Sequence, residues 1–317
     1  MSEIKKNLQM RDIMGLAITE LAAEHEDVIL VDADLHTSTR MTPFKERFPD
    51  RFIQAGIAEQ NQFGIAAGLA SVGFTPFPAT FACFVARKAI DQFAYSICFP
   101  QLNVKVPGSY AGVPTSSSGP SHNSFEDMVF MRAIPNLKVA DPGDEADLRA
   151  VIKTAYETPG PIYFRGIRSA LPDIFKEGHT FKWGKGELLR EGSDVTLFGT
   201  GMMTDRCIKA ADLLLKDGIY AEVVHLASVK PIDEALIIES VQRTGCAVSA
   251  ENGTVLGGFG SAVAEVLGEH YPVPIKRIGV QDLWIQGGPE DDLMTFYKMQ
   301  PVDIASAARA SMAMKKK

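Results

Sequence analysis

The stretch Arg51–Gly73, RFIQAGIAEQNQFGIAAGLASVG, constrains the fold most. It predicts a short strand, a tight glycine-containing turn, and a helix that is apolar nearly all round. A helix with no polar face is a buried helix. One carboxylate, Glu59, stands at its entry. An acid in a first helical turn complements the helix dipole, or it is placed there for chemistry. The stretch alone leaves both readings open.

The surrounding chain alternates strands and helices. Met10–Glu24 has helical periodicity, and Val28–Val31 is a continuous apolar run suited to a strand buried on both faces. Further strands are predicted at Phe74–Phe77, Asn103–Val106, Leu137–Ala140 and Ile162–Phe164. Helices are predicted at Ala82–Cys98, Phe125–Ala133 and Asp144–Tyr156. A second such unit has strands at Val195–Phe198, Ala221–Leu226, Ala247–Ala250 and Ile275–Ile278. Helices at Asp205–Lys216, Glu234–Thr244 and Ser261–Gly268 lie between them. The pattern predicts an α/β chain of two domains, each a mostly parallel sheet with helices on both faces. Pro172, several glycines and mixed charge in Arg168–Glu191 mark the boundary, giving domains over 1–175 and 191–317 joined by a linker over 176–190. A length of 317 residues accommodates two such cores.

Charge and cysteine usage narrow the function classes. The net charge is −7 and the only basic run is the terminal Lys315–Lys317, which argues against nucleic-acid binding. No apolar run approaches the length of a membrane span, and the N-terminal MSEIKKNLQ lacks the apolar core of a signal peptide. Cys83, Cys98, Cys207 and Cys246 lie in apolar surroundings without a CxxC pair, which predicts buried reduced thiols and a cytoplasmic setting. The six histidines lack zinc-type spacing.

Several segments carry candidate chemistry. Gly199-Thr200-Gly201 follows a strand but lacks the third glycine and the later acid of a dinucleotide fingerprint. Gly257–Gly260 reads better as a tight turn. Ser116, Ser117 and Ser118 lie in the long loop Pro107–Asn123, without the GxSxG elbow of a hydrolase. His122, flanked by small and rigid residues in that loop, is the best-placed histidine. Phe81 and Phe84, three apart, form either core packing or a platform for a flat ligand ring. Arg165 and Arg168 either pair with carboxylates or clamp an anion.

Five segments fall into one order. GIAEQNQFGIAAGLA with Glu59, Gly64 and Gly68 resembles the pyrimidine-domain motif of thiamine-diphosphate enzymes. Ala33-Asp34-Leu35, the aromatic turn Phe77–Phe84, Gly119-Pro120-Ser121-His122 and Arg132-Ala133-Ile134-Pro135-Asn136 narrow the resemblance to the transketolase family. The second unit resembles the transketolase C-terminal domain, so the resemblance covers essentially the whole chain. The GDG motif, with its later Asn, that binds cofactor diphosphate and metal is absent; Gly143-Asp144-Glu145 stands in the wrong context. The resemblance therefore implies the C-terminal subunit of a split transketolase. It should be active only with a partner subunit that carries the GDG…N domain and holds Mg²⁺ or another divalent cation. An α2β2 assembly is expected.

The resemblance also assigns roles. Glu59 would promote the reactive tautomer of the cofactor's aminopyrimidine, its buried setting favouring the protonated donor form. Phe81, Phe84, Asp34 and Ile57 would complete the cofactor site, with Phe84 the better stacking residue. His122 would shuttle hydroxyl protons of the sugar. Arg11, Ser38 and Arg168 would grip the terminal phosphate of a ketose. A two-carbon ketol unit would pass from that ketose to an aldose.

Two positions depart from the family pattern: Tyr110 replaces a second histidine, and Ser118 replaces an aspartate that contacts a sugar hydroxyl. Both remain substrate-site candidates, and they leave room for a branched, deoxy or sulfonated ketose. The pair Arg165 and Arg168 is similar to that of deoxyxylulose-phosphate synthases. Rival readings are the β subunit of a 2-oxo-acid dehydrogenase decarboxylase and a non-catalytic regulatory paralogue. The first lacks the GPSH…RAIPN sequence, and the second should have lost the glutamate or the aromatics.

Overall fold

A computed structural model of the protein describes residues 8–113 and 119–315. The first half supplies β1 (Val28–Asp32), β2 (Phe52–Gln54), β3 (Thr75–Phe81), β4 (Lys105–Ser109), β5 (Lys138–Ala140) and β6 (Ile162–Gly166). The second half supplies β7 (Glu187–Arg190), β8 (Val195–Gly199), β9 (Ala221–His225), β10 (Ser228–Lys230), β11 (Ala247–Thr254) and β12 (Ile275–Val280). One sheet has the order β10-β5-β6-β4-β3-β1-β2 and the other β12-β11-β8-β9-β7. Pairing is parallel except where β10 meets β5 and β7 meets β9. The α/β class expected from the alternation is the one observed. β1, β3, β4 and β6 are buried at every position, as central parallel strands are.

Several elements differ from expectation. β10 comes from the second half but closes the edge of the first sheet, a three-residue strand with too little pattern to be read in advance. The single helix expected over Ala82–Cys98 breaks after Arg87 and resumes as a π-helix over Gln92–Cys98. At the break, Ala89 N–H reaches back to Phe84 O at 3.0 Å, a widened turn. Helices Glu290–Phe296 and Pro301–Met312 follow the last strand that the sequence marks clearly.

The helix Glu59–Ser71 is not buried on every face. Its buried residues are Glu59, Gln62, Phe63 and Ala66, one stripe at helical spacing. Gly64, Gly68 and Ser71 are exposed, and a Cβ added at Gly64 or Gly68 would meet nothing within 4 Å. The composition counts as apolar because its residues are small, yet within this chain that face is open. Gln62 anchors the helix, donating from Nε2 to Val31 O at 2.7 Å and Ala79 O at 3.0 Å. One helical turn therefore lies between the ends of β1 and β3 and the Glu59 carboxylate.

Candidate active site

The site lies where β1, β3 and β4 end, the edge at which open parallel sheets bind ligands. Phe81 closes β3 and Phe84 stands one turn into the short helix Ala82–Arg87. Their rings stack with centroids 5.5 Å apart. His122 approaches both, 5.4 Å from Phe84 and 6.1 Å from Phe81. Its backbone is fixed from below by Cys83, whose Sγ donates to His122 O at 3.3 Å. Burial pushes the Cys83 thiol up to about 12, so it stays protonated and acts as a donor. Arg87 holds the same segment, donating to Pro120 O at 2.8 Å and Asn123 O at 3.0 Å.

On the other side of Phe81, the Tyr110 ring packs at 4.3 Å. Tyr110 follows β4 directly and has φ 59°, a left-handed conformation unusual for a bulky residue. Its hydroxyl accepts from Arg11 Nη1 and lies 3.3 Å from Ser38 O, to which it donates. Arg11 is 8% exposed and is also held by Gln9 Oε1 at 2.7 Å. Arg168 brings its guanidinium to 5.7 Å from the same ring. Arg11, Ser38, Tyr110 and Arg168 are thus gathered at one end, with two guanidinium groups suited to an anion.

Glu59 marks the other end. It is 5% exposed, and its Oε1 lies 3.1 Å from Lys88 Nζ. The same ammonium sits 4.0 Å from the Phe84 ring centroid. The acid expected in a buried setting is buried, and it is ion-paired with Lys88. The one sequence signal for Lys88 is its place four residues after Phe84, which puts the two on one helical face. A row now runs from Arg11 through Tyr110, Phe81, Phe84 and Lys88 to Glu59. His122 lies over its middle.

Other candidates lie apart from this row. Asp34 is exposed at φ 62°, and its N–H donates to Gln54 Oε1 at 2.9 Å. The same oxygen accepts from Gly56 N–H at 2.9 Å, tying the Asp34 turn to the one that carries Ile57. Ile57 is 78% exposed. Ser118 lies outside the described residues. Arg165 is no anion clamp: it is 1% exposed and forms a two-pronged bond to Asp127 at 2.9 and 3.0 Å, with Asp141 at 3.2 Å. Gly257, Gly258 and the helix after them serve Glu251, whose carboxylate accepts from Phe259 N–H and Gly260 N–H. The four cysteines are free and buried, as expected.

The residues suit an aminopyrimidine. Such a ring needs a flat wall and an acid at a ring nitrogen. Phe84 and Glu59 supply these close enough together for one lysine nitrogen to touch both. Among the described residues, no group of three His, Cys, Asp or Glu is placed to hold a metal ion. No helix is long and apolar enough to cross a membrane.

Comparison with known proteins agrees with this geometry. Residues 6–173 match the transketolase pyrimidine-binding domain, and residues 184–304 match the transketolase C-terminal domain. The 6-deoxy-6-sulfo-D-fructose transketolase subunit SqwH of Clostridium sp. (strain MSTE9) is 40% identical, over 94% of this chain and 93% of its own. The 1-deoxy-D-xylulose-5-phosphate synthase 1 of Geobacter sulfurreducens is 36% identical over 96% of this chain, which spans 48% of that enzyme. A solved structure described as a split gene transketolase, inactive beta4 tetramer, superposes with a TM-score of 0.90 at 42% identity, covering 98% of this chain and 100% of its own. With both domain matches and full-length relatives in hand, the chain belongs to the transketolase family, as its pyrimidine-binding and C-terminal portion.

Proposed function

We propose that this chain is the C-terminal subunit of a split transketolase. It supplies half of an active site that moves a two-carbon ketol unit from an anionic ketose to an aldose. The observation that carries the proposal is the row with Phe81 at its centre, joining a pyrimidine-type wall to a pair of guanidinium groups. A ketose held by its terminal anion would reach from that pair towards Glu59 and Phe84.

Thiamine diphosphate, when bound, supplies an acidic carbon and an electron sink for breaking the C–C bond beside a carbonyl. The chain's own residues do the rest. Phe84, backed by Phe81, orients the flat ring and excludes water. Glu59 holds a proton at the pyrimidine nitrogen once Lys88 has given way. His122 takes and returns a hydroxyl proton of the sugar. Arg11 and Arg168 bind the terminal anion, with Ser38 and Tyr110 fixing Arg11. Asp34 and Ile57, both exposed, face the partner. We place the domain boundary in the 176–190 segment and assign diphosphate and Mg²⁺ binding to a partner subunit with a GDG…N motif, in an α2β2 assembly in the cytoplasm.

The subunit relative and the split-gene structure support a split arrangement, and the named relatives set the substrate panel. One is a transketolase subunit named for a sulfonated ketose, so the terminal anion to test is sulfonate as well as phosphate. The synthase relatives favour a second reading, condensation of a 2-oxo acid with an aldose phosphate. The test is to co-purify the chain with its partner, add thiamine diphosphate and Mg²⁺, and assay a panel of phosphorylated and sulfonated ketoses beside 2-oxo acids. Ketol transfer is expected. A complete pair that binds cofactor yet only decarboxylates 2-oxo acids would overturn the proposal.

A further inference from the structure

The loop that carries His122 leaves and re-enters the first half through a narrow neck. Ala111 and Gly112 at its entry pair with Ser124 at its exit, and Gly112 N–H donates to Ser124 O at 2.5 Å. Tyr110 stands immediately before this neck and His122 two residues before its other side, so the neck sets the distance between them. Both rings rest against Phe81.

The neck is held from the second sheet. β11 runs four residues beyond its apolar portion, as Glu251-Asn252-Gly253-Thr254, and remains buried throughout. Asn252, 1% exposed, accepts the Val113 N–H on its Oδ1 at 2.8 Å. Two residues on, Thr254 N–H donates to Phe125 O at 2.8 Å. One strand end thus fixes the residue after the entry and the residue after the exit.

The fit leaves no slack. Gly112 has φ 81°, and a Cβ there would come within 2.0 Å of Asn252 Nδ2. A non-glycine residue is strained by the left-handed backbone and blocked by the asparagine. The strand end is anchored in turn by Arg165, whose Nη2 donates to Asn252 O at 3.0 Å while its other nitrogens engage Asp127 and Asp141. Arg165 sits on β6, so the two sheets are bolted together directly beneath the neck.

The geometry points to Asn252 as a positioning residue for the reaction, acting through Val113 and Gly112 on the spacing between Tyr110 and His122. The C-terminal domain thereby helps to build the sugar site. The inference rests on the transketolase reading for its kinetic consequence and on the hydrogen bonds alone for the grip.

The test has two arms. In the full chain, Asn252→Leu should speed hydrogen exchange over residues 112–113 and 119–125 by about tenfold or more, leaving β1, β3 and β12 unchanged. Gly112→Ala, which attacks the same contact from the loop side, should do likewise. In the chain paired with its partner, Asn252→Leu should raise KM for the donor ketose about tenfold, with the dissociation constant of thiamine diphosphate within about twofold of wild type. Asn252→Asp keeps the acceptor oxygen and should restore both exchange and KM. Unchanged exchange in both Asn252→Leu and Gly112→Ala would overturn the grip, whatever the enzyme transfers. A KM that stays put despite faster exchange, or an Asn252→Asp variant as impaired as Asn252→Leu, would overturn the positioning role. A wild-type pair with no ketol transfer would refute the transketolase reading, and the exchange arm would still decide the grip.

Discussion

Glu59 and Lys88 form an ion pair, Oε1 to Nζ at 3.1 Å, at the mouth of the helix that anchors the site. The lysine is 46% exposed and the glutamate 5%. The same ammonium lies over the Phe84 ring at 4.0 Å. Both contacts that an aminopyrimidine would make, one with the acid and one with the aromatic face, are therefore made here by a single side chain.

If Lys88 competes for that position, removing its charge should help the cofactor. A half-exposed pair is worth about 1 kcal/mol at most. Lys88→Met, which keeps the stem, should tighten thiamine diphosphate binding by up to about fivefold in the assembled enzyme. Isothermal titration calorimetry reads this directly. Weaker binding in the variant would mean that Lys88 holds the cofactor rather than making way for it.

Tyr110 tests the anion end. Its hydroxyl fixes Arg11 and bonds to Ser38 O, so Tyr110→Phe keeps the ring on Phe81 but loses both contacts. A hydrogen bond to a charged group is worth about 1.5–3 kcal/mol. KM for an anionic ketose should rise about tenfold, with kcat nearly unchanged. An equal loss for ketoses with and without a terminal anion would detach Tyr110 from anion binding.

The buried Arg165 cluster tests the packing at the end of β6, from which one bond reaches across to Asn252 O. Arg165→Leu would leave Asp127 and Asp141 without a cation in a site closed to water. Breaking one side of a buried pair costs about 3–5 kcal/mol. Chemical denaturation should show a loss of that order, and a loss below about 1 kcal/mol would contradict the account.

How much of this was legible beforehand depended on what each residue's role rests on. β1 and the helix Met10–Glu24 could be read because burial writes itself into continuous or periodic apolar runs. Phe81, Phe84, His122 and Glu59 could be nominated because short motifs keep them in order. Lys88 could not, since an exposed lysine has no signature and its partner is 29 positions away. Asn252 was equally silent: it lies past the apolar run Ala247–Ala250 and matters only through a backbone N–H 139 positions distant. The helix Glu59–Ser71 misled because glycine and alanine count as apolar while giving little surface to bury. Whether Arg165 pairs with carboxylates or clamps an anion stays open in the sequence, because strand position fixes its spacing from Arg168 but not the carboxylates across the sheet.

His179 supplies a pH prediction. His179 Nε2 lies 3.3 Å from Asp147 Oδ1 and 3.3 Å from Glu187 Oε1, with Phe175 stacked on its ring. The Asp147 carboxylate raises the imidazole above its ordinary value, and Glu187 adds to this. Burial alone would raise Asp147, but His179, His225 and the Gly143 N–H together hold it below the usual carboxylate range. His179 therefore contributes stability that is full below about pH 6.5 and is lost as pH rises through its folded value. Asp147 contributes stability present above about pH 4 and lost as pH falls through its own. The melting-temperature gap between wild type and His179→Gln should be wider at about pH 6 than at about pH 8. A gap that is constant or grows with pH would show that His179 does not bind its proton more tightly when folded.

Glu59 is proposed as the acid that activates the cofactor in a half-site completed by another chain. The most direct measurement is two-carbon transfer by the reconstituted pair, with wild-type chain and with Glu59→Gln, at saturating thiamine diphosphate and Mg²⁺. Turnover should fall about a hundredfold or more in the variant, at an unchanged melting temperature. Wild-type turnover in Glu59→Gln would remove Glu59 from the mechanism and contradict the account.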